Sequence, residues 1–316
     1  MSRPQNLAVT ATVALAAVAT LFGVAGQAAA NSGPSAAQKS AEVVLKATGT
    51  EDLAVTVATD TTPARASTPV ATGTVTVTAP RTAAAPVTSQ EPSFGGFGLS
   101  LDGATDTTGT RTPDGTVVYP AAKPSTDFAV QATKAGGSRA LVTLKDRSAS
   151  NVQRYKLDLP SDVRIAPDGR GGYDLLKQMG NALVGVGHID APWAKDDRGK
   201  AVPTHYSLDG NTLVQSVDTN EGTAFPVVAD PHFTWGIVTG TAYFNKNETR
   251  TIATRADWVG LIAPSLPFPF NTVVEAYKEF IKTYAQHAQQ MNMCVKVKSN
   301  AQVGIYGGND GDGYCR

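Results

Sequence analysis

The chain has 316 residues, more than one small core needs, and its 27 basic and 27 acidic side chains cancel. Balanced charge argues against nucleic acid as a partner, because binding phosphate requires a clear basic surplus. Aromatic residues are only 7% of a chain that is 41% hydrophobic, few enough that part of it is expected not to fold.

The N-terminus follows the plan of a secretory signal. Arg3 supplies the positive charge, Leu7 to Gly26 is uncharged and apolar, and Gln27-Ala28-Ala29-Ala30 offers small residues in the A-x-A arrangement. A signal peptide over 1–30 with cleavage between Ala30 and Asn31 is the expectation. The alternative is an uncleaved anchor, for which the Ala and Thr content makes a weak span. Either way the remainder is exported: secreted and extracellular, or held at the cell wall.

Residues 31–115 are rich in Ala, Thr, Val and Pro, with no aromatic side chain between Phe22 and Phe94. Such a segment has little apolar surface to offset the entropy of ordering, so a disordered low-complexity stalk is expected, with Val55-Thr56-Val57 and Val75-Thr76-Val77 as transient strands at most. From Thr116 the pattern changes. Val117 to Tyr119, Phe128 to Gln131, Ala140 to Leu144 and Tyr155 to Leu159 are strand-like, and Pro167-Asp168-Gly169 and Asp209-Gly210-Asn211 are turn signals. This spacing predicts an antiparallel, sandwich-like β domain over 116–230.

After Asp230-Pro231 the pattern changes again. A strand is expected from Thr234 to Phe244. Asn245 and Glu248 form a capping box opening a helix over 246–262, with Ile252, Ala256 and Val259 on one face. Thr272 and Glu275 form a second box. It opens a helix whose apolar positions are Val273, Tyr277, Phe280, Tyr284, Ala288 and Met291. Cys294 to Lys298 is a strand before a Gly-rich tail. Region 231–316 is therefore a small α+β unit with two helices. Cys294 and Cys315, the two cysteines of the chain, are expected to form a disulfide, since an exported chain meets an oxidising compartment. A catalytic thiol is the alternative, but no His follows Cys294.

No motif carries catalysis. His188, His205, His232 and His287 form neither HxH nor HExxH, so no metal site can be read from spacing. There is no G-x-S-x-G, no G-x-G-x-x-G and no P-loop sequence. Asn309, Asp310 and Asp312 sit in a Gly-rich turn lacking the closing Glu of a calcium loop. No catalytic, metal or cofactor residues are assigned. Trp193, after Pro192, is core packing or else a stacking contact for a ligand.

The run Ile189-Asp190-Ala191-Pro192-Trp193-Ala194-Lys195-Asp196, then Gly199, Val202-Pro203-Thr204-His205-Tyr206, Gly210-Asn211-Thr212-Leu213-Val214-Gln215 and Phe225-Pro226-Val227-Val228-Ala229-Asp230-Pro231 resembles a widespread group of uncharacterised secreted proteins of actinobacteria. Gly240 to Thr249 is similar to the opening of their variable C-terminal region. The resemblance covers about 116–250. It implies an exported β module feeding a variable tail and no particular reaction. The expected function is a non-enzymatic exported module that binds or decorates the cell envelope, with peptidoglycan, the envelope or a membrane surface as partner. The alternatives are a secreted antimicrobial or membrane-active effector acting through 231–316, and a wall hydrolase whose carboxylates assemble only in three dimensions.

Overall fold

The computed structural model describes residues 34–236 and 240–316. The expected signal segment and its Ala30–Asn31 cleavage junction lie outside the described residues. Helix α1 (Ala36–Thr48) is followed by strands β1 (Ala64–Val70), β2 (Gly73–Ala79), β3 (Val87–Glu91), β4 (Gly95–Leu101), β5 (Thr110–Arg111), β6 (Val117–Lys123), β7 (Thr126–Ala132), β8 (Ser138–Leu144) and β9 (Val152–Asp158). Then come β10 (Val163–Pro167), β11 (Tyr173–Met179), β12 (Ala182–Ile189), β13 (Ala194–Lys195), β14 (Thr204–Asp209), β15 (Thr212–Val217), β16 (Val227–Ala229), β17 (His232–Trp235) and β18 (Thr241–Tyr243). Helices α2 (Lys246–Thr254), α3 (Trp258–Ile262), α4 (Phe270–Ala276) and α5 (Lys278–Gln290) precede β19 (Cys294–Lys298) and β20 (Val303–Tyr306).

The protein is β-rich with antiparallel sheets and a small α+β C-terminal region, as the sequence predicts. Among the described residues one sheet runs β1-β2-β3-β4-β9-β15-β14 and the other runs β20-β19-β18-β12-β17-β8-β7-β6-β5, with β10–β11 joined to β12 and β13–β16 joined to β8. Their facing side chains share one core, which takes Phe97, Leu99, Tyr155 and Leu213 from the first sheet and Tyr119, Phe128, Val142 and Phe233 from the second. Phe97 lies 4.7 Å from the Phe233 ring edge-on and 5.9 Å from the Trp235 ring in a stack. The outer face of the second sheet is covered by α1, where Ala41 and Val44 meet Val118, Ala129, Leu141 and Val228. Strand β7 is thus buried on both faces and loses the alternation of a half-exposed strand.

The expected stalk is corrected by this packing. From Ala36 onward the 31–115 stretch forms α1 and β1 to β5. Ser35 and Gln38 make a capping box at the start of α1. Val75, Val77 and Ala79 point inward along β2, and β4 pairs with β9 across the expected boundary at 115/116. Residues with little surface of their own are buried because partners distant in sequence cover them.

The boundary at 230/231 dissolves for the same reason. β12 pairs with β17 and β18, β18 pairs with β19, and the tail is thereby part of the larger sheet. Asp230 is wholly buried. Its Oδ1 accepts the Trp193 N–H at 2.9 Å, its own N–H donates to the Trp193 carbonyl, and its carbonyl accepts the Tyr206 hydroxyl. Burial pushes the Asp230 carboxyl up to about 7.

The helical expectations are half met. The Asn245–Glu248 capping box is present on α2. That helix stops at Thr254, and Arg255 and Asp257 form a bidentate ion pair at the break, so Ala256 is exposed and Trp258 supplies the next buried side chain. The second box does not form. Thr272 lies inside α4 and its hydroxyl donates to the Pro269 carbonyl. The expected single helix breaks at Tyr277, and α5 buries Ile281, Ala285 and Ala288, leaving Tyr277, Phe280 and Met291 exposed. The expected strand from Thr234 to Phe244 is two strands, with Gly236 at φ +98° ending the first. Cys294 and Cys315 are joined by a disulfide.

Candidate functional site

A polar cleft of about 520 Å³ opens where β17 and β18 share β12 as a neighbour. Glycines 185, 187, 236 and 240 line it between charged walls. Gly187 has no room for a side chain, since a methyl there would lie 2.8 Å from the Thr234 carbonyl oxygen and 3.0 Å from Trp235.

One wall is built by the β10–β11 turn and by β11 and β12. In the turn, Asp168 Oδ1 accepts the N–H groups of Arg170 at 2.7 Å and Gly172 at 2.9 Å, which fixes the carboxylate with its side chain only 3% exposed. The turn closes tightly, because a methyl at Gly172 would sit 2.3 Å from the Ile189 carbonyl oxygen. Asp174 and His188 are opposite residues of the antiparallel pair. Their side chains therefore meet, with Nδ1 of His188 2.9 Å from Asp174 Oδ1. Nε2 of the same ring stands 3.5 Å from Asp190 Oδ1 and 3.7 Å from Asp168 Oδ2.

Burial opposes charge on His188, but the hydrogen bond to Asp174 and the surrounding carboxylates outweigh it and hold the imidazole above its ordinary value. Asp190 also binds His232 on β17, where Nδ1 lies 2.6 Å from Asp190 Oδ2. The hydrogen bond from His232 holds Asp190 below the ordinary carboxylate range, against the cost of burial. Nε2 of His232 is buried without a partner, against Gly137.

The opposite wall is cationic. Lys296 on β19 pairs with Asp310 and lies 5.6 Å over the Tyr243 ring. Lys298 is the register partner of Thr241 and has no ion pair among the described residues. Burial pushes the Tyr243 hydroxyl far up, so it is a neutral donor or acceptor.

His188 lines the cleft, and His232 reaches it only through Asp190. His205 is exposed on β14 and His287 is exposed on α5. Trp193 is outside the cleft. It packs beside α1 with the Lys195 ammonium 5.3 Å over its ring. Asp310 and Asp312 face Lys296 and Arg164. Among the described residues no group of His, Cys, Asp and Glu side chains is arranged to hold a metal ion. The disulfide closes the tail beside Tyr243 and Tyr306.

Sequence reasoning missed the cluster because Asp168, Asp174, His188, Asp190 and His232 come from two hairpins and a later strand. The available signals were His188-Ile189-Asp190 at the end of a Gly-rich strand and the Asp-Gly turn that faces it. Comparisons of the chain with protein-family models, curated proteins and solved structures find no match, so the cleft's own geometry is what bears on function.

Proposed function

We propose that the protein is an exported module that binds the cell envelope, and that the polar cleft is where it holds its ligand. The observation that carries this reading is the setting of His188. With one carboxylate on Nδ1 and two beside Nε2, both ring nitrogens are engaged by protein carboxylates, which raise the imidazole above its ordinary value. A ring so tied orders the carboxylates around it and is poorly placed to take a proton from a substrate. The cleft volume is within the range of small-ligand sites. The disulfide suits an oxidising compartment, as does the signal-like N-terminus. The resemblance to secreted actinobacterial proteins supports the same address, and peptidoglycan is the envelope polymer we favour as partner.

The effector reading has one observation in its favour. Leu261, Phe268, Tyr277, Phe280 and Met291, all between residues 261 and 291, are exposed. Against it, 231–316 contributes strands to the main sheet, and a region that completes another's sheet does not act as a detachable element.

Sedimentation of the protein with purified cell walls tests the proposal. Wall-dependent pelleting should weaken at least about tenfold, or about 1.4 kcal/mol, in a Asp174→Asn, Lys298→Ala variant of native circular dichroism. Pelleting unchanged by that variant, or absent in the wild type, overturns it.

A further inference from the structure

The charges of the cleft are sorted by sign. At one end Asp168, Asp174 and Asp190 gather around His188, with Arg170 mostly in solvent and His232 on Asp190 Oδ2, and Asp168 Oδ2, Asp174 Oδ2 and Asp190 Oδ1 take no hydrogen bond among the described residues. At the other end Lys296 and Lys298 face Asp310 alone. The first end therefore offers free carboxylate oxygens, and the lysine end carries net positive charge. Asp168 is the fixed point of the first. It is almost wholly buried, its Oδ1 is taken by two backbone N–H groups, and its Oδ2 is turned toward the cleft. Lys298 is the uncommitted charge of the second.

The spacing follows from the sheet. Gly185 lies three residues before His188 on β12, about 10 Å along a strand. Thr241 stands against Gly185 and pairs with Lys298, which places the lysine two strands across from β12, again about 10 Å. The two legs are perpendicular, so the backbone positions are about 14 Å apart, and side chains that lean into the cleft bring the charged groups to roughly the length of three to four extended residues. Among the described residues, glycines line the space between them and the rim carries Thr234, Thr241 and Tyr243, whose hydroxyls can hydrogen-bond a peptide.

We propose that the cleft binds a short extended peptide bearing a free ammonium and a free carboxylate, the ammonium at Asp174 and Asp190 and the carboxylate at Lys298. This rests on the cleft being the ligand site of the envelope-binding reading, and it names the ligand's chemistry. A wall peptide not joined to its neighbour carries both groups, and so does a free tripeptide. Both ends are charge-assisted contacts, so each should contribute more than a neutral hydrogen bond.

The probe is the tripeptide Ala-Ala-Ala, titrated into the protein beside its N-acetylated and C-amidated forms and followed by calorimetry or by the His188 ring signals. The free tripeptide should bind with a Kd on the order of 1 mM, and blocking either end should weaken it at least about tenfold. Lys298→Ala, an exposed position, should weaken the free peptide and leave the amidated one unchanged, so that the two losses do not add. Equal binding of all three peptides, or no saturable binding by the free one, overturns the assignment. If wall pelleting depends on the cleft while every peptide fails, the ligand class is wrong and the envelope reading stands. If the free peptide binds as expected while walls do not pellet the protein, the envelope reading fails and the peptide site stands.

Discussion

Two stretches of the chain, Ala64–Leu101 and Lys246–Gln290, failed expectation in opposite ways. The first has the composition of an unfolded linker, yet Val75, Val87, Leu99 and Phe97 are all buried. The second has caps and helical periodicity, and helices do form there, but only part of the expected face packs: Ile252, Val273 and Ala288 are buried, while Ala256, Tyr277, Phe280 and Met291 are exposed. Composition judges a segment by what it can bury alone, whereas a strand is stabilised by partners that can lie far away in sequence. Local signals such as a capping box set where a helix begins, because the donors they satisfy are within three residues. They do not choose which stripe faces the sheet.

The sharpest way to break this comparison is Phe97→Ala. Phe97 joins the supposed linker to Phe233 and Trp235, so its loss should cost about 4 kcal/mol in denaturant unfolding of the whole protein, in one transition. A loss confined to a separate early transition would restore the stalk as an independent piece.

Asp230 tests whether the 230/231 junction is a seam or part of the core. Its carboxyl is raised by burial from an ordinary 3.8 to about 7. The folded state therefore keeps a proton that the unfolded state gives up. Stability should fall as pH rises from 3.8 toward 7, then level off with the cost of the buried charge fully present. The total is on the order of 4 kcal/mol at most, and Asp230→Asn should remove most of that slope. Wild-type and variant curves of the same slope would show that Asp230 is not protonated in the folded protein.

The tail offers a smaller test. Cys294 and Cys315 close a loop of sequence separation 21. Replacing both by Ser should cost about 3 kcal/mol in the chain-entropy account. If instead only the last turn frays, with hydrogen exchange confined to residues after 306 and no change in global unfolding, β19 is held by its sheet neighbours alone. The smallest effect is at the cap. Asn245→Ala removes the acceptor for the Asn247 and Glu248 N–H groups and should cost about 1 kcal/mol. A cost near zero would mean that the packing of Ile252 and Ala253 sets α2 without help from its cap.

Read without a structure, the chain reveals the strands near 117–119, 128–131, 140–144 and 155–159, the Asp209-Gly210-Asn211 hairpin, the α2 cap and the cysteine pair. Each of these rests on neighbours a few residues away, or on a choice between two partners. The alternation Thr74-Val75-Thr76-Val77-Thr78 was also legible as a strand, but composition argued more strongly the other way. The cleft was not legible at all. Asp174 meets His188 because an antiparallel register sets them opposite, Asp168 is aimed by a turn that depends on Gly172, and His232 arrives from a strand beyond the apparent domain boundary. Local patterning thus determined which segments could be strands and helices. Only tertiary structure decided which faces were buried and which charges met, because those depend on pairing between residues far apart in sequence.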